Sequence, residues 1–182
     1  YHVKRDAKWT GEEVDTFILE APEGSLAEPK LIPMDEWLRF LGFWVAEGYT
    51  TKKLYHVGLV QVKENGMLAE MRALLKSWGF SISNDKRKIE LRVSNKQLWS
   101  YLHQFGEAID KKFPDFVLGL SSRQIKIALE SYIIGDGSVD KTCADKTWGY
   151  ASSPKLADQL VEMALKVGWA ANINNRGIRE GT

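Results

Sequence analysis

The feature that most constrains this chain is a repeat. Shifting the sequence by 89 residues lays an ordered set of like positions on each other without a gap. Phe40 falls on Leu129, Glu47 on Asp136, Gly48 on Gly137, Met71 on Leu160, Leu74 on Met163, Gly79 on Gly168 and Phe80 on Trp169. Apolar, acidic and glycine positions coincide, as they do when one supersecondary unit is used twice. The length of 182 residues suits two small halves that share a core.

Each half reads in the same order. A helix over 36–46 follows Asp35 as its N-cap, and one over 123–135 follows Ser121 or Ser122. Hairpins follow, near 49–54 and 55–62 in the first half and near 138–143 and 147–152 in the second. A second helix over 66–78 is capped by Asn65; its counterpart is capped by Ser153, with Pro154 at the first helical position. These helices stop at Gly79 and Gly168. The first half continues with strands at 80–84 and 88–94 and a helix over 96–105 that Asn95 starts. The second half has only strand-like residues 169–179 before Thr182, without an equivalent of that last helix.

The expected fold class is therefore α/β, of the α+β kind: two pseudo-twofold-related αββαββα half-domains around central paired helices. Residues 1–34 form an extended lead-in with three prolines and a strand at 14–19. Residues 35–105 form the first half, 106–120 a linker containing Lys111, Lys112 and Pro114, and 121–182 an incomplete second half.

Composition narrows the class of protein. Hydrophobic residues at 44% and charged residues at 27% are ordinary for a globular domain. No apolar run reaches membrane-span length, and the lone Cys143 has no disulfide partner. A soluble, intracellular (cytoplasmic) monomer is expected, and the start at Tyr1 fits an excised domain or fragment. The net charge of +1 hides an asymmetry: residues 1–37 carry 4 basic and 9 acidic side chains, whereas 51–100 carry 10 basic and 4 acidic. A basic surface on one part of the fold suits nucleic acid, although a mixed, solvated surface would read the same way.

The chemistry lies in two segments. Phe40-Leu41-Gly42-Phe43-Trp44-Val45-Ala46-Glu47-Gly48 and Leu129-Glu130-Ser131-Tyr132-Ile133-Ile134-Gly135-Asp136-Gly137 are both largely apolar and end in an acid followed by glycine. Small residues recur four apart, Gly42 with Ala46 and Ser131 with Gly135, which puts them on one helical face where two backbones can meet. Each acid then stands at a helix C-terminus, where the macrodipole disfavours negative charge by roughly 0.3–1 kcal/mol. Two such acids brought side by side repel unless cations neutralise them. Carboxylate oxygens suit magnesium, which binds one or two carboxylates together with waters and substrate phosphates. One acid–glycine helix ending alone would be an ordinary terminus; the duplication argues for a site.

These two segments resemble the paired signatures of the LAGLIDADG homing endonucleases. Val-Ala-Glu-Gly and Ile-Gly-Asp-Gly stand where that family has its terminal acid-small-acid-glycine. Pro33-Met34-Asp35-Glu36-Trp37 and Lys112-Phe113-Pro114 resemble the family's approaches to its motifs, so the likeness spans about residues 33–180. The resemblance implies a saddle-shaped DNA-binding fold and site-specific hydrolysis of double-stranded DNA at a long, asymmetric target. It implies Mg2+, or another divalent cation such as Mn2+ or Ca2+, held by Glu47 and Asp136. It also implies a basic residue near each active site, for which Arg92 and Lys96 are the candidates in the first half and Arg176 and Arg179 in the second. The lead-in Trp9-Thr10-Gly11-Glu12-Glu13…Phe17-Ile18-Leu19 is similar to the phage or bacterial branch embedded in intein splicing domains. The chain departs from the pattern in having Val45 and Ile134 at the earlier acid position, which is generally not the metal ligand. It carries neither an N-terminal Cys or Ser nor a C-terminal His-Asn, so splicing by this chain alone is not expected.

Strand alternation suggests a DNA-reading surface. Lys88, Glu90, Arg92 and Ser94 share one face of 88–94, opposite Ile89, Leu91 and Val93. Ser81 and Ser83 join the polar face from the neighbouring strand; in 55–63, Gln61 and Lys63 share a face with Tyr55, but both faces carry apolar groups and the pattern leaves the orientation open. With Arg176 and Arg179, these are the expected DNA contacts; the major groove admits such a two-stranded ribbon. His2, His56 and His103 have no metal-ligand spacing and read as surface or packing residues. The competing functions are a catalytically degenerate, maturase-like DNA- or RNA-binding module of the same fold and a purely structural domain.

Overall fold

The computed structural model describes residues 8–61, 66–84, 89–107, 109–139, 147–151 and 153–174. The polypeptide opens with a hairpin of β1 (Thr16–Leu19) and β2 (Lys30–Pro33), then forms α1 (Met34–Glu47). β3 (Gly48–Thr51), β4 (His56–Val60), α2 (Met67–Ser77), β5 (Ile82–Asn84), β6 (Glu90–Ser94) and α3 (Lys96–Leu102) complete the first half. A 3₁₀ turn over Asp115–Gly119 leads to α4 (Ser122–Asp136), β7 (Gly137–Val139), β8 (Thr147–Gly149) and α5 (Pro154–Lys166). The fold is thus α+β, and the series helix–hairpin–helix occurs twice, as the repeat requires. The first half adds β5, β6 and α3. In the second half, residues 169–174 are not in a strand as expected, and the remainder of that segment, with Arg176 and Arg179, lies outside the described residues.

α1 and α4 pack against each other at the centre, and small residues make that contact. A Cβ built on Gly42 would stand 2.2 Å from the Ala128 carbonyl oxygen, and one on Gly135 would stand 2.6 Å from the Ala46 Cβ. Ser131, fully buried, donates its hydroxyl to the Arg39 carbonyl across the interface at 2.5 Å. α1 is apolar on almost every side, with Trp37, Phe40, Phe43 and Trp44 buried, so it runs through the core.

Around this pair the first half sets a four-stranded antiparallel sheet in the order β3-β4-β6-β5. Val57, Leu59, Leu91 and Val93 point into the core, leaving Glu90, Arg92 and Ser94 on the opposite face, as strand alternation predicted. β7 and β8 form a two-stranded sheet in the second half. The second helix of each half ends at a glycine in the left-handed region, Gly79 at φ 79° and Gly168 at φ 83°, where other residues are strained.

Capping follows the sequence in three places. Asn95, Ser121 and Ser153 each accept a backbone N–H of the first turn, from Leu98, Gln124 and Leu156. It departs at α1, whose N-cap is Pro33; Asp35 lies inside the first turn, where its carboxylate meets Arg123 of α4 and favours the helix dipole. Asn65 is outside the described residues, and α2 begins after Gly66.

Two segments expected to be peripheral belong to the core. The lead-in buries Phe17, Leu19 and Ile32, and Phe17 stacks on Trp37 at 4.1 Å. It also spans the halves: Glu12 exchanges backbone hydrogen bonds with Gly119 and Ser121, and the Gln124 amide pairs with the backbone of Val14. The expected linker buries Phe113 and Val117, and the buried Gln159 side chain clamps both the N–H and the carbonyl of Phe113, at 2.9 and 3.0 Å. Among the described residues, no helix is long and apolar enough to cross a membrane.

Candidate active site

Glu47 is the last residue of α1 and Asp136 the last of α4. Because the helices touch through Gly42, Ala46, Ser131 and Gly135, their C-terminal ends converge. The Cβ position of Gly135 lies 3.1 Å from the Glu47 Cγ, which puts the Glu47 side chain against the last turn of α4. Both acids line one cleft of about 260 Å³, together with Ala46, Gly48, Lys111 and Tyr132.

The glycine after each acid is not an ordinary left-handed helix cap. Gly48 and Gly137 have φ of −92° and −125°, in the extended region, because each starts a strand. Glycine is required there by space. A Cβ on Gly48 would fall 2.2 Å from the Trp44 ring, and one on Gly137 would fall 2.4 Å from the Ile133 carbonyl oxygen. The acid–glycine pair is therefore the joint where a buried helix turns sharply into a strand, with the acid held at the corner.

Among the described residues that line this cleft, Lys111 is the cation, although it belongs to the expected linker. Only 6% exposed, it donates to the Gly48 carbonyl and lies 4.7 Å over the Trp44 ring. Burial pulls its pKa down to about 8, while the negative charges of Glu47 and Asp136 oppose that fall. The Tyr132 phenol, donating to the Tyr150 carbonyl, is pushed upward by burial first and then by the same two acids. Both groups thus sense both carboxylates. A signal for Lys111 was present: Phe113, Val117 and Leu120 have the spacing of a segment that packs one face.

The other expected site residues lie elsewhere. Arg92 and Lys96, the candidates for the basic catalytic residue, do not line the cleft. Arg92 is on the outer face of β6, bound to Glu90, and Lys96 is exposed at the start of α3, 5.8 Å over the Tyr55 ring. Ser81 and Ser83 are exposed on the side of that sheet, with the Ser83 hydroxyl donating to the Arg92 carbonyl. Gln61, expected among the DNA contacts although its strand's orientation is open in the sequence, is 4% exposed, and among the described residues neither side-chain amide atom has a partner, so it is not presented to a groove. Lys63, Lys88, Arg176 and Arg179 lie outside the described residues. His103 stacks on Trp99 at 4.0 Å, a packing role.

The donor set discriminates among metals. Among the described residues no group of three or more His, Cys, Asp or Glu side chains gathers. Zinc sites need such a group. A pair of carboxylates beside an open cleft fits a hard cation that keeps its waters and takes other oxygens from a phosphate.

No protein-family model matches the chain. Over 154 residues it is 36% identical to a Chlamydomonas moewusii protein named as an ATP-dependent Clp protease proteolytic subunit, covering 77% of this chain and 15% of that one. It is 23% identical over 214 residues to a Stigeoclonium helveticum protein named as a DNA-directed RNA polymerase subunit beta C-terminal section, covering 92% and 19%. It is 25% identical over 160 residues to the DNA polymerase II large subunit of Thermococcus kodakarensis, covering 85% and 9%. The chain therefore spans less than a fifth of each of these relatives.

Proposed function

We propose that this protein is a metal-dependent, site-specific endonuclease of double-stranded DNA, of the homing type that its paired motifs resemble. One observation carries the reading: two helix-terminal carboxylates from repeated units, Glu47 and Asp136, share a cleft with the buried Lys111.

The comparisons support an inserted element. The three relatives are named for unrelated activities, proteolysis, RNA synthesis and DNA synthesis, yet each matches most of this chain with a small fraction of its own length. A segment shared by such proteins is not the source of their separate named activities. A mobile domain lodged in different hosts, such as the endonuclease of an intein, accounts for the pattern.

In the mechanism, Glu47 and Asp136 would hold Mg2+ or a similar cation. When bound, that ion supplies Lewis-acid polarisation of the phosphodiester oxygens. The chain's residues do the rest. The packing of α1 on α4 fixes the two carboxylates in one cleft, where they would hold the cation beside the reacting phosphate. Lys111, anchored by the Gly48 carbonyl and the Trp44 ring, places a positive charge where the phosphate gains negative charge during hydrolysis. Water adds to phosphorus and a P–O bond breaks, leaving a phosphate on one strand end and a hydroxyl on the other. The outer face of the first sheet supplies side chains for reading bases.

The test uses the purified chain and duplexes that it enriches from a randomised pool. In Mg2+ it should cut them, whereas Glu47→Gln or Asp136→Asn should abolish cutting of at least one strand and leave binding largely intact, because these groups position metal and read no bases. Binding without cleavage by the parental chain would favour the degenerate binding module. Cleavage at the parental rate by the double variant would remove these residues from the mechanism.

A further inference from the structure

One rung of the first sheet is built in an unusual way. Tyr49 on β3 pairs with Gly58 on β4, Gly58 with Arg92 on β6, and Arg92 with Ser83 on β5, so one row crosses all four strands on the outer face. Glycine is a poor strand residue, and a glycine inside a strand often marks a close approach. At Gly58 the approach is by Tyr49. A Cβ there would lie 2.2 Å from the Tyr49 Cε1, 2.3 Å from Cζ and 2.6 Å from the hydroxyl oxygen. The ring therefore lies flat across β4, and its hydroxyl reaches β6.

There it completes a hydrogen-bonded set. The Tyr49 hydroxyl donates to Glu90 and accepts from Arg92 Nε at 3.4 Å. Arg92 Nη2 donates to both Glu90 oxygens, at 2.8 and 2.9 Å. Burial, followed by the hydrogen bond to Glu90, raises the Tyr49 pKa and keeps the phenol a donor at neutral pH. The Nε/Nη2 edge of the guanidinium is thus occupied, and among the described residues no other bond holds its Nη1/Nη2 end, on a side chain that is 41% exposed.

The charge balance says what that end can recognise. Arg92 and Glu90 neutralise each other, so the group has little pull on a phosphate. A phosphate contact needs net positive charge; a base contact needs donors in a fixed direction. An arginine fork held in one rotamer has already met the ordering cost of binding. Its acceptor pair in the major groove is O6 and N7 of guanine.

We infer that Arg92 reads a guanine on the first-half side of the target through its Nη1/Nη2 end, with Tyr49 and Glu90 as positioning residues seated on Gly58. This rests on the reading of the protein as a DNA endonuclease. The base read lies to the side of the cleavage centre, since Tyr49 is two residues beyond Glu47, about 7 Å along an extended strand, and Arg92 is two strands across the sheet from it, about 10 Å away. Glu90, expected from the sequence to touch DNA itself, instead acts through Arg92.

The experiment selects duplexes from a randomised pool with the parental chain and with Arg92→Lys, Arg92→Ala, Glu90→Gln and Tyr49→Phe. It reads base frequencies at every position and the salt dependence of binding. The parental chain should show a strong guanine preference at one inner position. Arg92→Lys, which keeps the charge and loses the fork, should flatten that position alone by about tenfold or more. Tyr49→Phe and Glu90→Gln should weaken the same preference. Glu90→Gln should also steepen the slope of log affinity against log salt by about 0.9, as a neutralised cation is released for phosphate. An unchanged base profile in Arg92→Lys, or an equal loss at every position in all four variants, would overturn the assignment while leaving the endonuclease reading intact. If the parental chain enriches no duplex at all, both fall together.

Discussion

The Cβ of Ala46 stands 2.6 Å from where a Cβ on Gly135 would be, so the two central helices meet at a distance that only glycine permits. The acids next to these two residues in sequence, Glu47 and Asp136, are brought to one cleft by that closeness. Gly135→Ala must move α4 away from α1 or strain both. The expected destabilisation is about 1–3 kcal/mol, the usual cost of overpacking, with more for Gly42→Ala because it meets the Ala128 carbonyl oxygen at 2.2 Å. Gly119→Ala serves as the control, since nothing lies within 4 Å of its Cβ position, and should stay within about 0.5 kcal/mol of the parent. Urea denaturation of the three variants measures this. Equal stability of Gly135→Ala and Gly119→Ala would mean that the helices are not packed this closely.

Gln61 gives a second expectation with a sign opposite to the usual one. Its side-chain amide is buried and has no partner among the described residues, an arrangement that costs about 1–3 kcal/mol. Gln61→Leu, similar in size and apolar, should raise the urea midpoint and leave DNA affinity unchanged. A loss of affinity without a gain in stability would show that Gln61 turns outward to the groove.

Gln61 also shows where a sequence stops being legible. Alternation assigns a residue to a face, but both faces of 55–63 carry apolar groups, so the pattern gives no orientation there. In 90–94 the contrast between Leu91 and Val93 and their polar neighbours is complete, and the burial follows it. The paired acids were legible for a different reason: repetition identifies equivalent positions, and small residues four apart predict which helix faces meet. Asp35 was misread because its ion pair with Arg123 is tertiary, and local capping rules cannot see a partner 88 residues away. Lys111 was missed because Lys-Lys flanked by Gly106 and Pro114 has the composition of a connection, and only the burial of Phe113 and Val117 brings it inward.

The placement of Lys111 has a consequence for stability against pH. Its pKa is near 8 in the folded protein and near 10.5 in the unfolded chain. Between these values the unfolded chain binds a proton that the folded protein does not, so stability rises with pH across that window and is flat below it. The full span corresponds to about 3 kcal/mol at most. Unfolding free energies of the metal-free protein at pH 7.5 and pH 10 should therefore differ in favour of the higher pH, after subtraction of the same difference in Lys111→Met. A parental difference no larger than that of Lys111→Met would place the ammonium in solvent. The same variant should lose cleavage while keeping duplex binding, since the lysine faces the acids and not the sheet surface.

The final expectation separates metal binding from catalysis altogether. If Glu47 and Asp136 hold a divalent cation, metal stabilises the folded protein by mass action whether or not DNA is present. At a free concentration of about a hundred times the dissociation constant the gain is about 2.7 kcal/mol. Thermal midpoints of the parental chain should thus climb with added Mg2+ or Mn2+ and fall back on chelation. In Glu47→Gln and in Asp136→Asn the rise should shrink, because among the described residues the donor set is a pair of carboxylates and losing one leaves a single anchor. The double variant should show only the small, unsaturating response that any acidic surface gives to a salt. A carboxylate pair that keeps water on its metal binds modestly without phosphate, so addition of an enriched duplex in Ca2+ should increase the parental shift beyond the sum of the separate shifts. If metal raises the midpoint of the double variant as much as that of the parent, the cation is held elsewhere on the chain and the cleft is not its site.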